Sequence, residues 1–167
     1  PQKTRGKVAV IGSGPAGLTV AGDLAREGFN VMIFEGEQEA GGVLMYGIPE
    51  YRLPKDVVRK EVKKIEALGV TFITQCMVGQ AITVDDMFEQ GFDAVFIGSG
   101  TALPKSLDTP GYTLRGVTQS SYFLRMASLC NTGSIGREEV PVKQGDIVGV
   151  IGGGNVAMDA ARTALRM

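Results

Sequence analysis

The chain has 167 residues, 44% hydrophobic and 21% charged, with a formal net charge of -1. That balance belongs to a soluble globular protein with a buried core, the size of one domain or of one domain plus a piece of another; the absence of basic runs and of aromatic-plus-basic clusters argues against nucleic acid as a partner. No apolar stretch reaches membrane-spanning length and the N-terminal PQKTRGK lacks the apolar core of a signal peptide, so no membrane association and a cytoplasmic location are the default expectations.

Two cysteines, Cys76 and Cys130, lie far apart, and histidine is absent. Neither cysteine has ligand-spaced neighbours, so neither a metal centre nor a Cys-x-x-Cys redox centre is expected.

After a loose arm over residues 1–6, residues 8–11 form an apolar run that stops at GSGPAG: Gly12, Ser13, Gly14, Pro15, Ala16 and Gly17. A helical pattern follows, with Leu18, Ala21, Leu24 and Ala25 on one stripe and Gly28 at its stop. A second apolar run, residues 31–34, ends on Glu35. The order is strand, glycine turn, helix, strand, acid. Gly12 suits the tight exit from the strand, Gly14 lets backbone approach a pyrophosphate, and Gly17 lets the helix lie close to the sheet. Pro15 fits an early helical position, where a missing N–H costs little. The helix N-terminus presents N–H groups to phosphate, and Glu35 can accept hydrogen bonds from ribose hydroxyls while repelling a 2'-phosphate. This unit is read as a dinucleotide grip for FAD or NAD.

Residues 36–40 are polar and lead into GGVLMYGIPEYRLPK (residues 41–55). The segment is long for a loop in a compact domain, and its apolar and aromatic content points to function. Gly41 and Gly42 are expected against a dinucleotide, and Arg52 supplies a cation for phosphate or flavin oxygens. Residues 55–68 read as an amphipathic helix, residues 70–73 as a strand, residues 76–78 as an extended piece, and residues 83–90 as a short helix capped by Thr83 and closed by Gly91. Residues 93–97 read as a buried strand ending at GSGT: Gly98, Ser99, Gly100 and Thr101. Residues 102–116 are expected to be loop, residues 120–130 helix, and residues 131–144 a linker or hairpin.

The opening unit then recurs: VGVIGGGNVAMDAARTALR (residues 148–166) aligns with VAVIGSGPAGLTVAGDLAR (residues 8–26). Gly152 and Gly154 stand where Gly12 and Gly14 stand, and Ala157 replaces Gly17, which the fingerprint allows. The counterpart of Glu35 would fall beyond Met167, so the second unit lacks its specificity residue; a strand and helix alone cannot bury their apolar faces, and a fragment of a longer protein is the expectation. Asp159 and Arg162 on the second helix read as surface or domain-interface polar groups, with a cofactor-side role as the alternative.

With both fingerprints in view, the sequence resembles the two-dinucleotide-binding flavoproteins, and among them the small (beta) subunit of NADPH-dependent glutamate synthase and its relatives. GSGPAG with Glu35, GGVLMYGIPEYRLPK, FIGSGT and GGGNVAMDAAR carry the resemblance across nearly the whole chain. It implies an α/β fold: a Rossmann-like FAD-binding domain with three layers about a parallel sheet over residues 1–115, a connection over residues 116–145, and the start of a Rossmann-like NAD(P)H-binding domain over residues 146–167. It implies FAD in the first domain and NADPH, or NADH, in the second, with hydride passing to the flavin and electrons onward to a glutamate synthase large subunit or an iron-sulfur partner; a homo-oligomer is also compatible.

By position, Gly12, Ser13, Gly14, Pro15, Ala16 and Gly17 would face the FAD pyrophosphate, and Glu35 the ribose. Gly42, Val43, Leu44 and Arg52 would lie at the pyrophosphate or flavin end, Val78 near adenine through backbone contacts, and Gly98, Ser99, Gly100 and Thr101 over the cofactor. Gly152, Gly154, Asn155 and Val156 would form the pyridine-nucleotide phosphate turn. Disulfide reductases of the superfamily carry a cysteine pair after the double glycine, where Val43, Leu44, Met45 and Tyr46 stand here. Thiol-disulfide chemistry is therefore not expected. The alternatives are a catalytically inert dinucleotide-binding fragment and, more weakly, a flavin oxidase or monooxygenase.

Overall fold

The computed structural model describes residues 4–101, 103, 105 and 107–167. Two compact units divide the chain, residues 1–45 with 54–100, and residues 46–53 with 101–167. The arm expected over residues 1–6 lies partly outside the described residues, as do three positions of the loop expected over residues 102–116.

The first unit is built on a four-stranded parallel sheet: β1 (Lys7–Ile11), β2 (Asn30–Phe34), β3 (Thr71–Ile73) and β4 (Ala94–Ile97), in the order β3-β2-β1-β4. Parallel neighbours need crossovers, and helices α1 (Pro15–Arg26) and α3 (Lys55–Ala67) lie in the two connections from β1 to β2 and from β2 to β3. The period-two alternation of a strand sends side chains to both faces of the sheet. Val10, Val31 and Ile33 pack with Leu18, Ala21 and Ala25 of α1 and with Val62 and Ile65 of α3. On the other face Ala9 and Phe34 pack with Phe92 and with Met87 of α4 (Val84–Glu89). Small residues on α1 explain the close fit: Gly17, Ala21, Gly22 and Ala25 are all buried. Such a sheet, covered on both faces, is the three-layer α/β arrangement expected from the sequence.

The expected helix at residues 83–90 is present, and its cap is complete. Thr83 Oγ1 accepts from the Asp86 N–H at 3.1 Å, and Asp86 Oδ2 accepts from the Thr83 N–H at 2.8 Å. The extended piece expected at residues 76–78 reduces to one bridge between Val78 and Ile82. A four-residue helix, α2 (Val43–Tyr46), appears where the sequence showed no periodicity.

In the second unit α5 (Ser120–Asn131) and α6 (Asn155–Ala164) share a small core in which Phe123, Ala127, Val140, Val142 and Ala160 are buried. The connection between them holds a single turn of 3₁₀ helix at Arg137–Glu139 and no hairpin. The strand expected at residues 148–151 is not formed. Ile147 and Ile151 are 103% and 82% exposed, and a strand acquires its hydrogen bonds only from a neighbour.

Among the described residues of this unit, the Thr163 hydroxyl Oγ1 is buried without a partner. Replacing it with an isosteric methyl removes a desolvated polar group, so Thr163→Val should raise stability by about 0.5–1 kcal/mol. Urea denaturation checks this; a lower midpoint would mean that the hydroxyl is satisfied. Among the described residues no helix is long and apolar enough to cross a membrane, and no group of three or more His, Cys, Asp or Glu side chains is placed to hold a metal ion.

Candidate functional site

The first glycine turn sits where β1 ends, between β2 on one side and β4 on the other. Strand order reverses direction there, and open parallel sheets bind ligands at such a point. Three glycines in the turn serve different purposes. Gly12 has φ +92°, and a Cβ on it would stand 2.5 Å from the Gly98 carbonyl oxygen. A Cβ on Gly17 would stand 1.9 Å from the Gly12 carbonyl oxygen, so α1 can cross the end of β1 only with glycine there. Gly14 differs: a Cβ on it would meet nothing within 4 Å. The protein's own packing therefore requires Gly12 and Gly17 but leaves open space in front of Gly14, a cradle that a side chain would fill.

That space lies at the start of α1. Gly14 is the N-cap, no side chain caps the helix, Pro15 occupies its first turn and no acidic residue stands there. The first N–H groups of a helix lack intrahelical acceptors and carry the positive end of its dipole. By contrast α4 has a capping box and two acids, Asp85 and Asp86, in its first turn. Around the same turn, Gly42 has φ +53° with Gly14 Cα only 2.9 Å from the position of a Cβ. Gly98 donates its N–H to the Ile11 carbonyl at 2.8 Å, and Ser99 follows it past the end of β4.

Glu35 closes the turn from below. Its carboxylate is buried, 7% exposed, yet among the described residues no cation pairs with it; three donors do the work instead. Oε2 accepts from the Ser13 N–H at 2.9 Å and from the Ser13 hydroxyl, and Oε1 accepts from the Glu37 N–H at 2.8 Å. Ser13, fully buried, also accepts the Gly41 N–H on its Oγ at 2.9 Å. One serine thus joins the glycine turn, the acid ending β2 and the double glycine of the next segment. Two carboxylate oxygens offer about four acceptor positions, so the position left over is on Oε1. The sequence reading placed Glu35 correctly at the strand end but assigned Ser13 no separate task; a hydroxyl between turn glycines, with an acid at the end of the next strand, was the available signal.

Val43 and Leu44 lie in α2, with Val43 58% exposed and the Leu44 carbonyl accepting from the buried Lys55 Nζ at 2.9 Å. Val78 lies in the first unit beyond β3, next to Met77, whose Cε approaches the Cβ position of Gly36 at 2.9 Å. Gly100 has φ +71° and open space around it. Thr101 is exposed and groups with the second unit.

The polar segment after β2 is fastened to α3 by a two-point ion pair: Arg59 Nε and Nη2 donate to Glu39 Oε2 and Oε1 at 2.8 and 3.1 Å. The hydrogen bonds from Arg59 hold the Glu39 carboxyl below its ordinary value near 4.5. A carboxyl lowered on folding adds stability above its unfolded value, and that stability is lost as pH falls through the folded value. Both side chains are about two-fifths exposed, so solvent reduces the contribution to about 0.5 kcal/mol. Glu39→Gln should therefore lower the urea midpoint at neutral pH and match the parent chain well below pH 4.5; a gap that widens in acid would contradict the assignment.

In the second unit Gly152 has φ +127°, with the Ala157 Cβ 3.4 Å from the position of its own Cβ. Gly154 again has nothing within 4 Å and is the N-cap of α6, which has neither side-chain cap nor acid in its first turn. Asn155 begins the helix and Val156 is 53% exposed. Gly154 thus shares with Gly14 an open space at an uncapped helix start, without a formed strand before it.

Arg52 groups with the second unit, where its Nη1 donates to Asp159 Oδ2 at 2.7 Å. Asp159 is 4% exposed, so of the surface and domain-interface readings given to it the surface one does not hold. These residues are 107 positions apart, and nothing local in the sequence could join them.

Comparison with known proteins identifies the family and the fold. The family model described as pyridine nucleotide-disulphide oxidoreductase matches residues 6–167. The NADP(+)-dependent formate dehydrogenase subunit beta of Moorella thermoacetica is 43% identical over 162 residues, 96% of this chain and 22% of that protein. The glutamate synthase [NADPH] small chain of Bacillus subtilis is 38% identical over 169 residues, 99% of this chain and 34% of that protein. Among solved structures, Mycobacterium tuberculosis FprA in complex with NADPH is similar in fold, with a TM-score of 0.76 at 24% identity over 95% of this chain and 36% of that one. The chain spans about a fifth to two-fifths of the length of such curated relatives. Within the superfamily its cysteines are unpaired, Cys76 in the first unit and Cys130 in the second, both free thiols. With the fingerprint geometry present and a match along nearly its whole length, this chain belongs to the pyridine nucleotide-disulphide oxidoreductase family.

Proposed function

We propose that this chain is the flavin-binding part of an NAD(P)H oxidoreductase, with FAD held at the first glycine turn and NADPH, or NADH, at the second. The observation that carries the reading is Gly14: at an uncapped helix start, beside the strand-order switch, it faces open space while its neighbours are packed tight. A pyrophosphate fits there because the N-terminal N–H groups of α1 offset its charge and no side chain intervenes. Glu35 has an acceptor position on Oε1 for one ribose hydroxyl, and its negative charge disfavours a 2'-phosphate. That preference suits FAD. Gly42, Val43, Leu44, Val78 and the Gly98–Ser99–Gly100 end of β4 frame the remainder of the FAD site, followed in sequence by Thr101. Gly152, Gly154, Asn155 and Val156 supply the second phosphate turn.

When bound, the flavin supplies hydride acceptance from the reduced nicotinamide. The chain's own contribution is position and electrostatics: two backbone turns, each at a helix start, hold two pyrophosphates without a charged side chain at either. The curated relatives are named as subunits and chains of NADP(H)-linked enzymes, which supports a partner subunit as the next electron acceptor, of the glutamate synthase large-subunit or iron-sulfur type.

A second reading is a module that binds a dinucleotide without passing hydride. The unpaired, exposed residues 147–151 favour it, because the strand that should brace the second turn has no neighbour among the described residues. The absorption spectrum of the purified chain, before and after anaerobic NADPH, separates the two. Flavin bands that bleach support hydride transfer. Bands that persist support binding alone, and a chain that takes up no added FAD removes both readings.

A further inference from the structure

The motif segment at residues 41–55 divides between the two units: its double glycine lies in the first and residues 46–53 in the second. Within the second unit, consecutive residues of that stretch grip α6. Arg52 Nη1 donates to Asp159 Oδ2 at 2.7 Å, and the Tyr51 hydroxyl donates to the Asp159 carbonyl at 3.3 Å. The Tyr51 ring meets two guanidinium groups, Arg162 at 4.4 Å and Arg166 at 4.6 Å from its centroid. Asp159 and Arg162, three residues apart, share one face of α6, and Arg166 lies in the turn just beyond its end.

We propose that Tyr51 and Arg52 are positioning residues for the second glycine turn, acting through Asp159, Arg162 and Arg166. Asp159 lies one helical turn after Asn155, and its carboxylate is nearly buried with Arg52 as its countercharge. A buried carboxylate deprived of its cation is strongly unfavourable, so the pair resists any displacement of α6 that would separate them. Stacking of Tyr51 on the two arginines fixes the rotation of that face. The need for such a clamp follows from what α6 lacks: its N-terminus has no side-chain cap, and the residues before Gly152 form no strand. Two distant motifs, YRLP and GGGNVAMDAAR, become parts of one device.

The inference rests on the reading of Gly152–Gly154–Asn155–Val156 as a nucleotide turn, but its test uses no nucleotide and so fails independently of that reading. Residue-resolved amide hydrogen exchange of the whole chain is measured for the parent, R52A, R52Q, R52K, D159A and R52A/D159A. In R52A and R52Q the amides of Gly154 to Ala164 should exchange about tenfold faster, while those of α1 stay unchanged as the control for folding. R52K should recover most of the protection, since it keeps the charge, and R52A/D159A should be better protected than R52A, since no unpaired carboxylate remains. Four outcomes overturn the proposal: unchanged exchange in R52A, equal acceleration in α1 and α6, R52Q protected as well as R52K, or multiplied effects in the double variant.

Discussion

Gly17→Ala should cost about 3–5 kcal/mol of folding stability, whereas Gly14→Ala, three residues earlier in the same turn, should cost only about 0.5–1 kcal/mol. The first figure follows from geometry. A methyl on Gly17 would stand 1.9 Å from the Gly12 carbonyl oxygen and 3.3 Å from Val10 Cγ1, and the obstacle is backbone that cannot swing aside. Relief requires lifting α1 from β1, which separates Leu18 and Ala21 from Val10, Val31 and Ile33 in the main core. Gly14 has ordinary φ of -67° and open space, so alanine there loses only the slight preference of an N-cap for glycine. Urea denaturation followed by circular dichroism distinguishes them. Equal losses for the two variants would refute the division of these glycines into packing and ligand-facing positions.

Glu35→Ala should be comparably severe, at about 3–5 kcal/mol, because it strands three donors at once. The Ser13 N–H, the Ser13 hydroxyl and the Glu37 N–H all point at that carboxylate. Ser13→Ala should cost about 1–3 kcal/mol, since it leaves the Gly41 N–H without its acceptor. Glu35→Gln falls between them: its amide can accept on one side only, and its NH₂ group meets a donor on the other. The ordering Ala, Gln, Ser13→Ala in decreasing loss is the specific expectation. A Glu35→Ala chain as stable as its parent would show that the acid serves ligand alone and holds nothing together.

The first unit was largely legible because its signals are local. Apolar runs bounded by glycine marked β1, β2 and β4, and Thr83 marked the cap of α4, each within a few residues of its cause. The glycine turn was legible for the same reason, since its requirements concern backbone approach over six residues. Sequence reasoning fell short where the cause lay elsewhere in the chain. Residues 148–151 have the composition of a strand, but a strand exists only with a neighbour, and none is present among the described residues. The ion pair of Arg52 with Asp159, 107 residues on, had no local signal to announce it. Ser13 lay in full view inside the motif. Its role depends on a hydroxyl reaching both Glu35 and Gly41, a relation that strand and helix periodicities do not encode.

The central claim is that the open space before Gly14 receives a dinucleotide pyrophosphate. Titration of the parent and Gly14→Ala chains with FAD, read by flavin fluorescence and absorbance, tests it directly. A methyl crowding the pyrophosphate at about 1–3 kcal/mol corresponds to roughly ten- to hundredfold weaker binding. Saturable binding of one FAD by the parent, weakened to that extent in a Gly14→Ala chain that remains folded, is the predicted result. Equal affinity in the two chains would contradict it.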